Sequence, residues 1–229
     1  MDFEKIEKKL GFHFNNSELL KQAFTHRSYL NENRKSGVEH NERLEFLGDA
    51  VLELVTTEYL YKLYPNKNEG DLTALRSALV NTVSISDVAL GLGFNEFLLL
   101  SRGEAKDTGR ARQYILANTF ESVVGAMFLD LGYEAAQTFI NANLIPTLGN
   151  IIEKGTWMDA KSKLQEIVQE KVGVTPRYET VKEVGPDHDK TFTIAVFFGE
   201  DKKAEGSGKS KQEAEQEAAK TIMLENKWS

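Results

Sequence analysis

The hydrophobic pattern of the 229-residue chain changes period once, near residue 159, and this change constrains the fold more than any other feature. Over residues 3–148, apolar residues recur at intervals of three and four, which is the period of an α-helix. Beyond that point, one helical segment precedes a stretch in which Phe192, Ile194 and Val196 occupy alternate positions, as in a half-buried strand. The sequence therefore predicts an α+β protein, with an all-helical part followed by a smaller mixed part.

Glycines and turn-forming residues divide the chain further. The stretch "LGNIIEKGTW" follows Pro146 and carries two glycines, so we predict a helical domain over 1–150, a linker over 151–157 and a second domain over 158–229. In the second domain, "GPDHDK" and "GEDKK" are turn sequences on either side of the strand pattern, and the closing "KSKQEAEQEAAKTIMLENK" has one apolar helical stripe. The predicted order is helix, three strands, helix.

Composition favours a folded protein whose metal ligands, if any, are oxygen atoms. Hydrophobic residues make up 41% of the chain, which is enough for a buried core. Cysteine is absent, and the four histidines never fall at the i, i+4 spacing of a zinc site. No apolar run reaches the roughly 18 residues that span a bilayer, and the start of the sequence is charged and amphipathic. We therefore expect a cytoplasmic protein with no membrane partner.

The net charge of −7 disfavours a nucleic-acid-binding protein, because such domains are usually basic. Residues 1–157 contain 16 Lys+Arg against 21 Asp+Glu, and residues 158–229 contain 12 against 14, so neither half is basic. Any binding of nucleic acid must therefore come from local clusters of basic residues.

The stretch "HNERLEFLGD", residues 40–49, places three carboxylates on one side of a predicted helix. At about 100° per residue, Glu42, Glu45 and Asp49 share one arc. The predicted core residues on the other side are Leu44, Leu47, Val51, Leu54 and Val55. A solvated face is the ordinary explanation for such acids, but like charges three and four residues apart repel and favour a bound cation. Phe46 lies beside the acids, so it packs either on another helix of its own domain or on a second copy of the protein.

A second helical segment, "YILANTFESVVGAMFLD", repeats this arrangement. Its predicted core stripe consists of Leu116, Phe120, Val123 and Met127. Asn118, Glu121 and Gly125 share the opposite side, where the glycine permits a close approach. Each of these residues alone is ordinarily a surface residue. Together, the two helices have the side chains for an all-oxygen site of the kind that Mg²⁺ prefers.

These motifs resemble a known family. "NERLEFLGDAVLEL" closely resembles the signature of the ribonuclease III family, and "NEGDLTALRSALV", "LLLSRGE" and "YILANTFESVVGAMFLDLGY" resemble its other helical segments in the same order. The end of the chain resembles a double-stranded RNA-binding domain. The resemblance implies a homodimeric, metal-dependent endoribonuclease that processes ribosomal and other structured RNA. It would cut double-stranded RNA to staggered products with 5′-phosphate and 3′-hydroxyl ends.

The resemblance also implies roles for individual residues of the helical domain. Two Mg²⁺ ions, with Mn²⁺ as an alternative, would be bound in each site, and Phe46 corresponds to a position of dimer packing. The acidic positions that match are Glu45, Asp49 and Glu121 as metal ligands, of which Asp49 and Glu121 are catalytic, and Glu42 and Glu69 as supporting acids.

Asn118 departs from the family pattern, which commonly has Asp at this position. An amide oxygen can ligate Mg²⁺ or hold a metal-bound water, but it brings no charge and cannot act as a base. We therefore expect Asn118 to be a neutral ligand of the metal or of its water. The departure leaves open a second function, a double-stranded RNA-binding regulator that does not cut and uses the helical domain to dimerise. A purely structural scaffold would leave the acidic and lysine motifs unexplained.

The segment "GSGKSKQEAEQEAAK" predicts a phosphate-binding helix start, with Lys209 and Lys211 on either side of an N-cap at Ser210. Helix N-termini favour anions, and we expect the preceding glycines to be flexible. Without its context, such a start would ordinarily be only a solvated helix end.

Further RNA contacts follow from the resemblance alone. Gln165 and Glu166, on the first helix of the second domain, and His188, in "GPDHDK", correspond to positions that touch the minor groove. Gln212 replaces the second of two lysines usual in the motif, which predicts weaker and less salt-dependent binding.

Overall fold

A computed structural model describes residues 2–154, 157, 160–186 and 190–228. The chain divides into two compact units, Met1–Trp157 and Met158–Ser229. The first unit is helical, with short 3₁₀ turns at Phe94–Glu96, Glu104–Lys106 and Ile145–Thr147. Its helices are α1 (Phe3–Leu10), α2 (Ser17–Ala23), α3 (Arg27–Glu32), α4 (Glu42–Leu63), α5 (Glu69–Leu79), α6 (Thr82–Gly91), α7 (Arg110–Leu131), α8 (Tyr133–Asn143) and α9 (Leu148–Lys154).

The second unit has two helices and one antiparallel sheet, in the strand order β1-β2-β3. Its elements are α10 (Ala160–Val172), β1 (Arg177–Val184), β2 (Thr191–Phe198), β3 (Asp201–Gly208) and α11 (Lys211–Glu225). Leu164 of α10, Val196 of β2 and Ile222 of α11 belong to one buried cluster, so the sheet and both helices share one core. The predicted α+β class and the order helix, three strands, helix are confirmed.

The segment predicted as a linker, 151–157, starts inside a helix. α9 covers Leu148–Lys154, and Ile151 is buried in the core of the first unit. Trp157 also packs against that core. The two glycines suggested a break, but Gly149 is helical and apolar residues on either side of it give this segment a side to bury.

Helices α4 and α7 are 22 residues each and pack against one another in the first unit. The predicted core stripe of α7 is fully confirmed, since Leu116, Phe120, Val123 and Met127 are all buried. By length and composition alone α7 could cross a membrane, but 61% of its apolar window is buried inside the protein. α7 is therefore a core helix of the first unit.

Two glycines set the distance between these helices. A Cβ atom built on Gly48 would lie 1.7 Å from the carbonyl oxygen of Glu121, and one on Gly125 would lie 2.2 Å from that of Leu44. No side chain fits at either position, so the two backbones touch. The close approach predicted at Gly125 is therefore made by the backbone of α4.

The buried side of α4 is rotated relative to the prediction. Leu44, Val51 and Val55 are buried as expected, but Leu54 is 57% exposed, so its assignment to the core was wrong. Because Gly48 is the point of contact with α7, the buried side extends towards the acidic residues and leaves Leu54, about 100° from Val55, at its margin.

Candidate active site and RNA-binding surface

The helix crossing brings carboxyl groups from α4 and α7 together. Glu45 lies three residues before Gly48, and Asp49 follows Gly48 directly. On α7, the backbone atom nearest to the missing Cβ of Gly48 is the carbonyl oxygen of Glu121. Glu45 and Glu121 are partly buried, and the Asn118 carboxamide interacts with the Glu45 carboxylate. The structure therefore places the four predicted ligand residues around one crossing point.

Burial and the charges of neighbouring carboxylates raise the pKa of all three carboxyl groups. Burial, followed by the charges of Asp49 and Glu45, raises the pKa of Glu121 to about 8. Burial also raises the pKa of Glu45, with a further contribution from Glu42, and the pKa of Asp49, with a further contribution from Glu53. The shared direction means that this site carries more negative charge than its surroundings stabilise.

Among the residues that the structure describes, neutralising cations lie at the edge of the cluster. The Glu42 carboxylate lies 3.4 Å from Nη1 of Arg27 and 3.7 Å from Nδ1 of His40. In the part of the chain that the structure describes, no basic side chain forms an ion pair with the carboxylate of Glu45, Asp49 or Glu121. The negative charges of Glu45, Asp49 and Glu121, the three inner acids, are therefore not neutralised by a described basic side chain.

The donor set fits a divalent ion that prefers oxygen. Three carboxylates and one amide from two packed helices are the ligand types of Mg²⁺ or Mn²⁺ sites. Among the described residues, however, no three acidic or histidine side chains are already close enough to enclose an ion. Since uncompensated carboxylates repel each other, an open arrangement is expected for the acids alone.

Glu69 lies apart from this cluster. It is the first residue of α5, its Oε1 accepts a hydrogen bond from Thr73 Oγ1 at 3.0 Å, and it lines a cavity of about 440 Å³ with Tyr61 and Arg76. None of the described interactions joins Glu69 to the three inner acids. The structure of one chain therefore does not bring this supporting acid to the crossing.

Phe46 is 82% exposed, although it lies between Glu45 and Leu47 on α4. This exposure excludes one of the two alternatives for its packing, because a ring on another helix of the same unit would be buried. Phe46 remains available to a second molecule.

In the second unit, the predicted RNA-contacting residues that the structure describes lie on α10 and at the start of α11, where Lys209 immediately precedes the N-cap. Gln165 and Glu166 are exposed on α10, and His188 lies outside the described residues. The Ser210 Oγ accepts a hydrogen bond from the backbone N–H of Glu213 at 3.1 Å, which confirms Ser210 as the N-cap of α11. Lys211 is the first residue of α11, and its Nζ lies 3.3 Å from Oε1 of Glu183.

The glycines before α11 serve packing, and the expectation that they are flexible was wrong. A Cβ on Gly206 would lie 2.1 Å from the backbone nitrogen of Ala218, and one on Gly208 would lie 2.7 Å from the Glu213 side chain. Both glycines let β3 pack closely on α11. They therefore fix the helix start against the sheet.

Sequence reasoning missed two residues of these sites, Gly48 and Glu183. Gly48 stands between Leu47 and Asp49 in "FLGDA", and a glycine inside a strongly helical segment is itself a signal of close packing. Glu183 carries no comparable signal, because its proximity to Lys211 depends on strand register.

Comparisons with known proteins agree with both units. The Ribonuclease-III-like family model matches residues 16–148, and the double-stranded RNA binding motif matches residues 160–226. Ribonuclease 3 of Carboxydothermus hydrogenoformans is 47% identical over 218 residues, covering 95% of this chain and 93% of that protein. Ribonuclease 3 of Bdellovibrio bacteriovorus is 43% identical over 221 residues, covering 96% and 94%. The solved nuclease domain of ribonuclease III from Campylobacter jejuni aligns with a TM-score of 0.56 and 41% identity, over 62% of this chain and 98% of that one.

A helical unit with an acidic helix crossing, followed by a double-stranded RNA-binding fold, defines an RNA-directed nuclease. The chain belongs to the ribonuclease III family. It is accordingly an endoribonuclease that acts on double-stranded RNA, and the resemblance found in its motifs is confirmed.

The raised pKa of Glu121 predicts how the stability of the metal-free protein depends on pH. The folded chain keeps a proton that the unfolded chain releases above the ordinary value of 4.5, so the free energy of unfolding falls as pH rises from 4.5 to about 8. We expect Glu121→Gln to remove this loss and to stabilise the protein at pH 8 by about 1–3 kcal/mol. Thermal melting in chelator at pH 5.5 and pH 8 measures it. A variant less stable than the wild type at pH 8 would contradict the burial of this charge.

Proposed function

We propose that Glu45, Asp49, Asn118 and Glu121 hold two Mg²⁺ ions, with Mn²⁺ as an alternative, and that Asp49 and Glu121 are catalytic. The observation that carries this proposal is the crossing at Gly48 and Gly125, which sets uncompensated carboxylates on two helices beside one another. Divalent ions would relieve the repulsion that raises the pKa values of these acids.

The chemistry of this site follows from its donors. Bound divalent ions supply an activated water, neutralise charge on the phosphate and assist the departing 3′-oxygen. Glu45, Asp49 and Glu121 orient that centre, Asn118 adds an oxygen without adding charge, and Glu42 supports the acidic side. Attack by water on phosphorus would break the bond to the 3′-oxygen, so that one fragment ends in a 3′-hydroxyl and the other begins with a 5′-phosphate.

RNA would be held by the second unit. The exposed Gln165 and Glu166 of α10 and the lysines that flank Ser210 lie on elements suited to the minor groove and to phosphates, with His188 as a further contact. The overall negative charge makes a single unit a modest binder. A dimer compensates, since it presents two such units to one duplex.

We further propose a cytoplasmic homodimer that processes ribosomal and other structured RNA, with two sites making the staggered cuts. The exposure of Phe46 supports the dimer, and the Campylobacter jejuni nuclease domain is described as having a region involved in dimer formation.

Phe46→Asp should weaken this dimer by at least about 30-fold, because an aromatic side chain at the centre of an interface contributes about 2 kcal/mol or more. Sedimentation over a range of protein concentrations measures the dissociation constant. Leu224→Asp is the matched control, since Leu224 is 79% exposed but lies in the second unit. An unchanged dissociation constant for the Phe46 variant would remove Phe46 from the interface.

The neutral Asn118 left open a regulator that binds double-stranded RNA without cutting it, and membership of a family of endoribonucleases disfavours this second function. Incubation of the protein with a perfect RNA duplex, in Mg²⁺ or in chelator, separates the two functions. The proposed enzyme gives fragments only in Mg²⁺. The regulator gives a shifted but intact duplex in both conditions.

A further inference from the structure

A row of paired residues in the sheet leads to the start of α11. Glu183 of β1 pairs with Phe192 of β2, and Phe192 pairs with Gly208 of β3. Gly208 is the residue whose missing Cβ leaves room for the Glu213 side chain in the first turn of α11. Paired residues in neighbouring strands share one face of a sheet, so Glu183 and Phe192 lie on the same face.

A bulge in β1 puts Glu183 on that face. The β1–β2 register shifts between Thr180 and Lys182, so that Glu179 pairs with Ala195 whereas Glu183 pairs with Phe192. In a regular strand, residues four apart share a face. Ala195 and Phe192 are three residues apart in β2 and lie on opposite faces, so Glu179 and Glu183 do as well.

Lys211 is held from two sides at this place. Its ammonium lies 3.3 Å from Oε1 of Glu183 and 5.7 Å from the centre of the Phe192 ring. The Lys211 side chain is 58% exposed and that of Glu183 is 41% exposed, so solvent and ligands reach both groups. A carboxylate therefore occupies one side of the ammonium that the proposed function assigns to an RNA phosphate.

We propose that the Glu183 carboxylate competes with RNA phosphate for Lys211 and thereby limits the affinity of the second unit for duplex RNA. The inference rests on the proposed RNA contact of Lys211. A phosphate must displace Glu183 or approach the lysine beside a like charge, and both routes cost affinity. Because Gln212 is neutral, the next residue of the helix supplies no second cation to offset the loss.

The competition is tested with Glu183→Gln in the full chain. Binding is measured in chelator, which keeps the RNA intact, with a perfect duplex longer than the about 16 base pairs that one such domain covers. We expect the variant to bind about two- to fivefold more tightly at low salt, the range set by an exposed ion pair. Since salt screens exposed charges, the gain should shrink as ionic strength rises.

Glu179→Gln is the matched control, because it removes the same charge from the same strand. Glu179 lies on the other face of the sheet, where its carboxylate forms an ion pair with Arg177. It should leave affinity unchanged. In a Lys211→Gln background, Glu183→Gln should give no gain, since the contested cation is absent. Thermal melting confirms that every variant is folded.

Three results would overturn the inference. The first is a folded Glu183→Gln protein that binds RNA at wild-type affinity or more weakly. The second is an equal gain in affinity in the Glu179→Gln control, and the third is a gain that persists without Lys211. The last two would indicate a general charge effect. A wild-type chain that binds no duplex at all would instead overturn the proposed function, and with it this inference.

Discussion

Glu121→Gln should leave binding of double-stranded RNA intact and lower cleavage in Mg²⁺ by more than about 100-fold. Loss of residues that only support a metal ligand costs about 10–100-fold, and a direct ligand contributes more. The carboxamide keeps the size of the side chain and removes its charge. Single-turnover cleavage of a labelled duplex gives the rate, and a gel shift in chelator gives the affinity.

Glu134→Gln is the control for this variant. Glu134 is exposed in the first turn of α8, so its loss changes the net charge of the same unit without touching the helix crossing. It should cut at the wild-type rate. Retained cleavage by the Glu121 variant would remove Glu121 from the metal site, whereas lost RNA binding would indicate a wider structural effect.

Gly48→Ala should destabilise the first unit by at least about 3 kcal/mol, the upper end of the usual cost of overpacking. The added methyl group would lie 1.7 Å from the carbonyl oxygen of Glu121, so α4 and α7 must separate. For a chain of this size, this cost lowers the melting temperature by about 6–12 °C. Cleavage should fall even below the melting temperature, since the acids on the two helices move apart.

Gly91→Ala provides the comparison for this effect. Gly91 is also helical, at the end of α6, but a Cβ there meets no atom within 4 Å. The change should be neutral or slightly stabilising, because alanine favours the helix over glycine. Similar melting temperatures for the Gly48 and Gly91 variants would contradict the close contact of α4 and α7.

The sequence predicted those features that depend on period and residue type. Helical spacing identified the core stripe of α7, alternation identified β2, and the clustering of Glu45, Asp49 and Glu121 on two helices indicated an oxygen site. Each of these signals is local or repeats along one element, so it can be recognised in the sequence without knowing how the elements pack.

The features that sequence reasoning missed depend on contacts between elements. Leu54 is exposed because Gly48 rotates the buried side of α4, and residues 151–154 are helical because Ile151 meets the core of the first unit. Glu183 reaches Lys211 only because a bulge changes its face of the sheet. None of these positions has a distinctive local pattern, and each is set by a neighbouring element.

The contact between Gly48 and Gly125 has a consequence for how this enzyme can be engineered. Main-chain atoms are in contact there, so the spacing of α4 and α7 is set by the backbones, and a side chain added at either glycine can only force the helices apart. Attempts to widen the range of metals that the proposed site accepts would therefore have to change the ligand residues or their rotamers. The neutral residue at position 118 is the natural place to begin such a library.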